Sequence, residues 1–211
     1  MSQFDLFSQK ANEFASLEEV IDALKRMKDD PLADAGTNVV VSRGNPDAKL
    51  LIIGEAPGPE ENIKGKPFVG RAGQMLDKVL QSANFDPEKD VYITNSVFRM
   101  PPGEDGKAFR KPTDQEIDYY RPYVFEIIRL IDPRVILLTG NVASQSVLRK
   151  TGITSLRGKW TQMDRSWVMP IFHPSYLLRN PTRDPGSPKA LMWEDIREVR
   201  RKYDELAATN P

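Results

Sequence analysis

Short apolar runs, each closed by a turn and followed by a helical pattern, constrain this fold more than any other feature. Lys49–Gly54 (KLLIIG) and Arg134–Thr139 (RVILLT) are continuous apolar runs too short for buried helices. Strands of that kind lie inside parallel sheets and are covered on both faces. Val91–Val97 (VYITNSV) and Trp167–Phe172 (WVMPIF) predict two more, with Pro170 pointing to an edge position or an irregularity. A short strand is also expected at Asn38–Ser42.

The intervening segments follow the helical period. Ser16-Leu17-Glu18-Glu19 reads as a capping box ahead of Leu17, Val20, Ile21, Leu24 and Met27. Gly70–Ala83 is amphipathic through Ala72, Met75, Leu76, Val79 and Leu80. Thr113-Asp114-Gln115-Glu116 opens another capped helix, in which Pro122 should mark a kink or a delayed start. Helices near Asn141–Lys150 and over Lys189–Leu206 complete the alternation. The expected fold is α/β, a three-layer α/β/α sandwich around a mainly parallel four-stranded sheet. One domain over residues 1–211 is expected, with 1–15 a loosely ordered extension.

Composition narrows the chemistry. The 211 residues include no cysteine and one histidine. Disulfides, thiolate zinc or iron–sulfur sites, cysteine nucleophiles and multi-histidine metal sites are therefore excluded. Carboxylate-bound Mg²⁺ or Ca²⁺ stays open in principle, but no cofactor and no metal are expected. The 30 basic and 30 acidic residues balance, which excludes a uniformly basic coat but not a local basic patch. Basic residues gather between Arg149 and Lys202, whereas the segment up to Asp34 is acid-rich. No apolar run approaches the roughly 18–20 residues of a membrane span, and Met1–Leu6 lacks the features of a signal peptide. A cytoplasmic protein with no membrane partner is expected.

Ligands of open parallel sheets sit beyond the carboxyl ends of the strands. Those ends are Gly54-Glu55-Ala56-Pro57-Gly58, Asn95, Gly140-Asn141 and His173-Pro174-Ser175. Glu55 suits either a functional carboxylate or one that bonds its own turn. Asn95 offers a donor and an acceptor, which match the imide edge of a pyrimidine, or it is a satisfied buried amide. His173, the only histidine, follows an apolar strand and precedes a proline-stiffened turn. Lys64–Gly73 is a Gly/Lys-rich loop opening a helix, a place where backbone amides favour anions such as phosphate. Phe68 within it either stacks on a base or anchors the loop. Ser175 suits a phosphate contact. Leu177 and Leu178 beside Arg179 suit a wedge in a base stack or an ordinary core-facing pair. Arg157-Gly158-Lys159 adds loop cations.

Together these segments resemble the family 4 uracil-DNA glycosylases. The resemblance rests on GEAPGPEE (Gly54–Glu61), GKPFVGRAG (Gly65–Gly73), Asn95, Arg157-Gly158 and HPSYLLR (His173–Arg179), and runs from about Pro31 to the last helix. It implies a monofunctional base-excision-repair enzyme that flips uracil out of DNA and hydrolyses its N-glycosidic bond, leaving an abasic site. Phe68 would stack on the uracil and Asn95 pair with its imide edge, rejecting cytosine. His173 would donate to uracil O2, and Glu55 would position water or stabilise the sugar cation. Gly54, Ala56, Pro57 and Gly58 would line the base pocket; Glu61 matches the second acid of the first motif. Arg71, Arg157, Ser175, Leu177, Leu178 and Arg179 would contact DNA and support extrusion of the base. The implied partners are single- or double-stranded uracil-containing DNA and free uracil as product, handled by a monomer. Gln3-Phe4-Asp5-Leu6-Phe7 is like a short sliding-clamp peptide. The other readings are a glycosylase for hypoxanthine or xanthine, and a non-catalytic module that binds uracil or single-stranded DNA.

Two departures from the resemblance stand out, the missing cysteines and one loop; the residue at position 56 is not one of them. In the best-known family of the superfamily an Asp orients water where Ala56 stands; family 4 also has a small residue there. Family 4 members typically carry a 4Fe–4S cluster on four cysteines, and Met27, Asp30, Arg99 and Tyr120 occupy those places here. These four are expected to converge around an Asp30–Arg99 ion pair. The segment Gly103–Lys111 is longer than usual. One branch of the superfamily links a histidine of this loop covalently to the DNA sugar. No histidine stands here, so Lys107, Arg110 and Lys111 are expected to contact DNA instead.

Overall fold

The computed structural model describes residues 14–104 and 109–209. The expectations for Gln3–Phe7 and Lys107 lie outside those residues. Phe14, placed in the loose extension by sequence, is held: Arg129 donates to its carbonyl at 2.6 Å and its ring lies 6.1 Å from that of Tyr123.

In chain order the strands are β1 (Ser42–Gly44), β2 (Leu50–Gly54), β3 (Val91–Asn95), β4 (Val135–Thr139), β5 (Thr161–Met163) and β6 (Ser166–Ile171). They form one six-stranded sheet of order β1-β3-β2-β4-β6-β5. The expected four-stranded sheet is its parallel centre, β3-β2-β4-β6. Two short antiparallel strands, β1 on β3 and β5 on β6, extend it at the edges. The strand expected at Asn38–Ser42 is displaced: pairing begins at Ser42, and the Val40 N–H instead donates to the Phe98 carbonyl. The apolar residues Val40 and Val41 are buried by packing, not by a ladder.

Pro170 lies beside β4 on one flank and beyond the end of β5 on the other. Its carbonyl accepts from the Gly158 N–H at 3.0 Å. The N–H and C=O of one strand residue face the same side, so the missing donor points where the ladder has already ended.

The helices are α1 (Leu17–Arg26), α2 (Pro59–Lys64), α3 (Arg71–Ser82), α4 (Asp114–Ile131), α5 (Gly140–Leu148), α6 (Ile153–Leu156), α7 (Pro174–Arg179) and α8 (Pro188–Thr209). Alternation along β2 sorts them into layers. Leu51 and Ile53 pack in one core with Val20 and Leu24 of α1, Val124 of α4 and Val142 of α5. Leu50 and Ile52 pack in the other with Leu76 of α3, Leu177 of α7 and Met192 of α8. Among the described residues no helix is long and apolar enough to cross a membrane.

The Thr113–Glu116 capping box is complete. At α1 the box is offset: Ser16 caps the Glu19 N–H, but Glu19 reaches back to Ala15 at 2.8 Å. Pro122 neither delays nor interrupts α4, which runs from Asp114 to Ile131. The proline removes one ladder donor, and the buried apolar face of the helix, including Ile117, Val124 and Ile128, outweighs that loss.

The expected Asp30–Arg99 pair is present, with Arg99 Nε 2.6 Å from Asp30 Oδ2. The other carboxylate oxygen accepts from the Tyr120 hydroxyl and from the Leu32 N–H. Arg99 also donates to the Thr37 carbonyl. Met27 packs against the core that holds the Tyr120 ring. Burial and the Asp30 carboxylate raise the Tyr120 pKa above its ordinary value.

Candidate active site

Chain direction reverses across β2: the chain leaves it for β3 on one side and later places β4 on the other. Such switch points open a crevice at the carboxyl ends of the strands. A cleft of about 950 Å³ opens there, lined by Glu55, Asn95, Gly140 and His173 from the strand ends and by Phe68, Arg71 and Leu178 from neighbouring loops and helices.

Asn95 is the last residue of β3, in register with Gly54, and is 1% exposed. Its carboxamide lines the cleft, and no protein hydrogen bond to it is found among the described residues. Buried amides are normally paired, and this one opens on the cleft, where it can pair with what enters.

Phe68 stands beside it in the left-handed region, at φ 53°. That conformation costs an L-residue roughly 1–2 kcal/mol, and four contacts hold it. Glu61 accepts from the Val69 and Gly70 N–H groups at 3.0 and 2.8 Å. Arg43 donates to the carbonyls of Pro67 and Phe68 at 3.1 and 3.4 Å. Gly73 packs so tightly that a Cβ there would lie 1.8 Å from the Phe68 carbonyl oxygen. A Cβ on Gly54 would lie 2.4 Å from both the Phe68 ring and Asn95 Oδ1. Gly54 therefore lets ring and amide meet without lining the cleft itself. The start of α3, expected to cradle an anion, already holds an internal one, the Glu61 carboxylate.

His173 caps α7. Its Nδ1 accepts from the Ser175 N–H at 3.2 Å and contacts the Ser175 hydroxyl at 2.8 Å. A ring nitrogen that accepts from an amide is unprotonated, so the proton sits on Nε2. Burial, helped by Arg179, pulls the His173 pKa down to about 4. The ring is thus a neutral Nε2–H donor at pH 7. It lies 6.0 Å from the Phe68 ring, tilted by 32°. Glu55 follows β2, and burial raises its pKa while Lys111 and Arg179 pull it the other way.

The DNA-facing residues divide. Arg71, Ser175, Leu178 and Arg179 line the cleft, with Arg71 and Arg179 exposed. Arg157 is engaged within the protein: its Nε donates to Asp195 Oδ2 at 2.8 Å, and its Nη2 to Asp195 Oδ1 and the Leu191 carbonyl. With a side chain only 16% exposed, it fastens the loop after α6 to α8. Leu177 is fully buried among the α3 and α8 side chains, so only Leu178 of the pair faces the cleft. Helical spacing puts adjacent residues on different faces. Ala56 and Gly58 line the cleft, whereas Pro57 is buried behind it. Arg110 is held by both oxygens of Glu116, at 2.8 and 2.6 Å. Arg43 was not identified from sequence; nothing in its neighbourhood marks it, because its partners are 24 to 45 residues away.

The family model of the uracil DNA glycosylase superfamily matches residues 41–197. The chain belongs to that superfamily. It is 36% identical to a type-4 uracil-DNA glycosylase of Thermotoga maritima, over 87% of this chain and 93% of the relative. It is 34% identical to the type-4 uracil-DNA glycosylase of Archaeoglobus fulgidus, over 79% of this chain and 85% of the relative. For that of Sulfurisphaera tokodaii the identity is 32%, over 92% and 86%.

Proposed function

We propose that the chain is a monofunctional uracil-DNA glycosylase that needs no cofactor. The observation that carries this reading is the Asn95 carboxamide, buried, without a protein partner and set beside an aromatic ring at the floor of the cleft. Uracil presents an N3–H donor next to its O4 acceptor, which Oδ1 and Nδ2 of Asn95 meet. Cytosine reverses both groups, and a buried mismatched hydrogen bond is a strong ground for rejection. The type-4 names of relatives that align over most of both chains support the same substrate.

In the proposed reaction the C1′–N1 bond breaks and its electron pair goes to uracil, with charge building on O2. The neutral His173 Nε2–H donates to that oxygen, and such preorganised donors stabilise developing charge. Water adds to C1′. Glu55, its carboxyl raised by burial, suits the group that takes the water proton and faces the sugar cation. One domain carries the whole site, and the substrate is uracil in single- or double-stranded DNA, with free uracil as product. A cytoplasmic, monomeric enzyme belongs to the same proposal.

The test is base release from single-stranded and duplex oligonucleotides carrying deoxyuridine, deoxyinosine or deoxyxanthosine. Uracil release with an abasic product is expected. Release of hypoxanthine or xanthine but not uracil overturns the base assignment. Binding without any abasic product makes the protein a reader of uracil.

A further inference from the structure

The cleft of about 950 Å³ is several times larger than one pyrimidine, so a base seated on Phe68 and Asn95 leaves most of its rim to neighbouring nucleotides. Among the described residues two aromatic side chains of the cleft lining are exposed, Tyr176, which carries a hydroxyl, and Phe109, which has no polar group. Phe109 lines the cleft and is 55% exposed.

Its backbone is fixed. Phe109 forms a bridge with Pro102, and the Arg110 N–H donates to the Pro101 carbonyl at 3.0 Å. Arg110 is clamped by both oxygens of Glu116, which also accepts from the Thr113 N–H at 2.8 Å as part of the α4 cap. More than half of Phe109 is left in water on this latched backbone. Two residues on, the exposed Lys111 lines the same cleft and is close enough to act on the Glu55 carboxyl.

We infer that Phe109 is a base-stacking platform for a nucleotide flanking the flipped uracil. The inference rests on the glycosylase reading for the nature of the ligand. Every base offers a π-face, so the platform adds affinity without a sequence preference, and it acts most strongly on single strands, whose bases are free to turn.

The experiment compares wild type, Phe109→Ala and Phe109→Trp, using single-stranded oligonucleotides with a deoxyuridine analogue that resists hydrolysis. Phe109→Ala should weaken binding roughly five- to a hundredfold, the range for loss of one stacked base. Phe109→Trp should restore it. With abasic spacers on both sides of the analogue, wild type and Phe109→Ala should bind alike. On cleavable substrate KM should rise while kcat stays within about twofold. Equal binding of wild type and Phe109→Ala to the full oligonucleotide overturns the inference. So does an equal loss on the spacer oligonucleotide, which would mean that the ring supports the loop. If wild type binds but releases no uracil, the glycosylase reading fails, whereas the stacking comparison still gives its own answer.

Discussion

Two polar clusters sit on the sheet, and they are built in opposite ways. Around Asp30, a buried carboxylate meets a guanidinium, a phenol and a backbone N–H, and every oxygen has a partner. In the cleft, Asn95 is deeply buried and has no protein partner among the described residues, while His173 uses Nδ1 internally, which leaves the proton on Nε2. A satisfied buried network contributes rigidity. An unsatisfied one costs stability and is kept where a ligand will complete it. The same contrast separates Arg157, consumed by Asp195, from Arg179, exposed at the rim.

The largest expected effect tests the unsatisfied side. On the proposed reading, Asn95→Asp replaces the donor that would face O4 with an acceptor. The ratio of uracil to cytosine release should fall by up to about 10⁴-fold, the scale on which unmatched buried groups discriminate; parallel release assays on both bases measure it. An unchanged ratio would return Asn95 to the structural class. His173→Ala should lower kcat by about 10²–10³-fold with little change in KM, as for loss of one oxyanion donor. Single-turnover kinetics would expose an equal change in both, which would make His173 a binding residue.

The satisfied side should respond in stability, not chemistry. Asp30→Ala leaves the partly buried Arg99 and the Tyr120 hydroxyl without their anion and should cost about 3 kcal/mol of unfolding free energy in urea titrations. Activity per folded molecule should hold. A selective loss of kcat would mean that the two clusters are coupled.

The smallest effect concerns pH. His173 titrates near 4 in the folded chain, against an ordinary value of 6.5. Between these values the unfolded chain holds the extra proton. Its contribution to stability is therefore whole above about pH 6.5 and is lost as pH falls toward 4. His173→Gln should flatten that part of the stability–pH curve. Uracil release by wild type should show no step near pH 6.5, because the folded ring is neutral on both sides of it.

The four parallel strands and the flanking helices were legible because strand and helix periods are local, and apolar runs such as LLIIG fit few other places; the order of the strands and the two edge strands were not. Phe68, Asn95 and His173 were legible because strand ends and the loops beside them are where such folds bind ligands. The contacts that the sequence did not show share one property: the partners lie far apart along the chain. Arg157 meets Asp195 38 residues on, and Arg43 meets Phe68 25 residues on. Phe109 was passed over because an aromatic in a loop reads as core until its exposure is known.

The sequence by itself determined the fold class, the absence of any thiolate site and the small set of side chains at the strand ends. Only the tertiary structure decided which of those side chains are occupied and which are free. Periodicity says which face a residue takes, but hydrogen-bond satisfaction is a property of three-dimensional neighbours. Here it separates an arginine paired inside the fold from an asparagine that opens on the cleft.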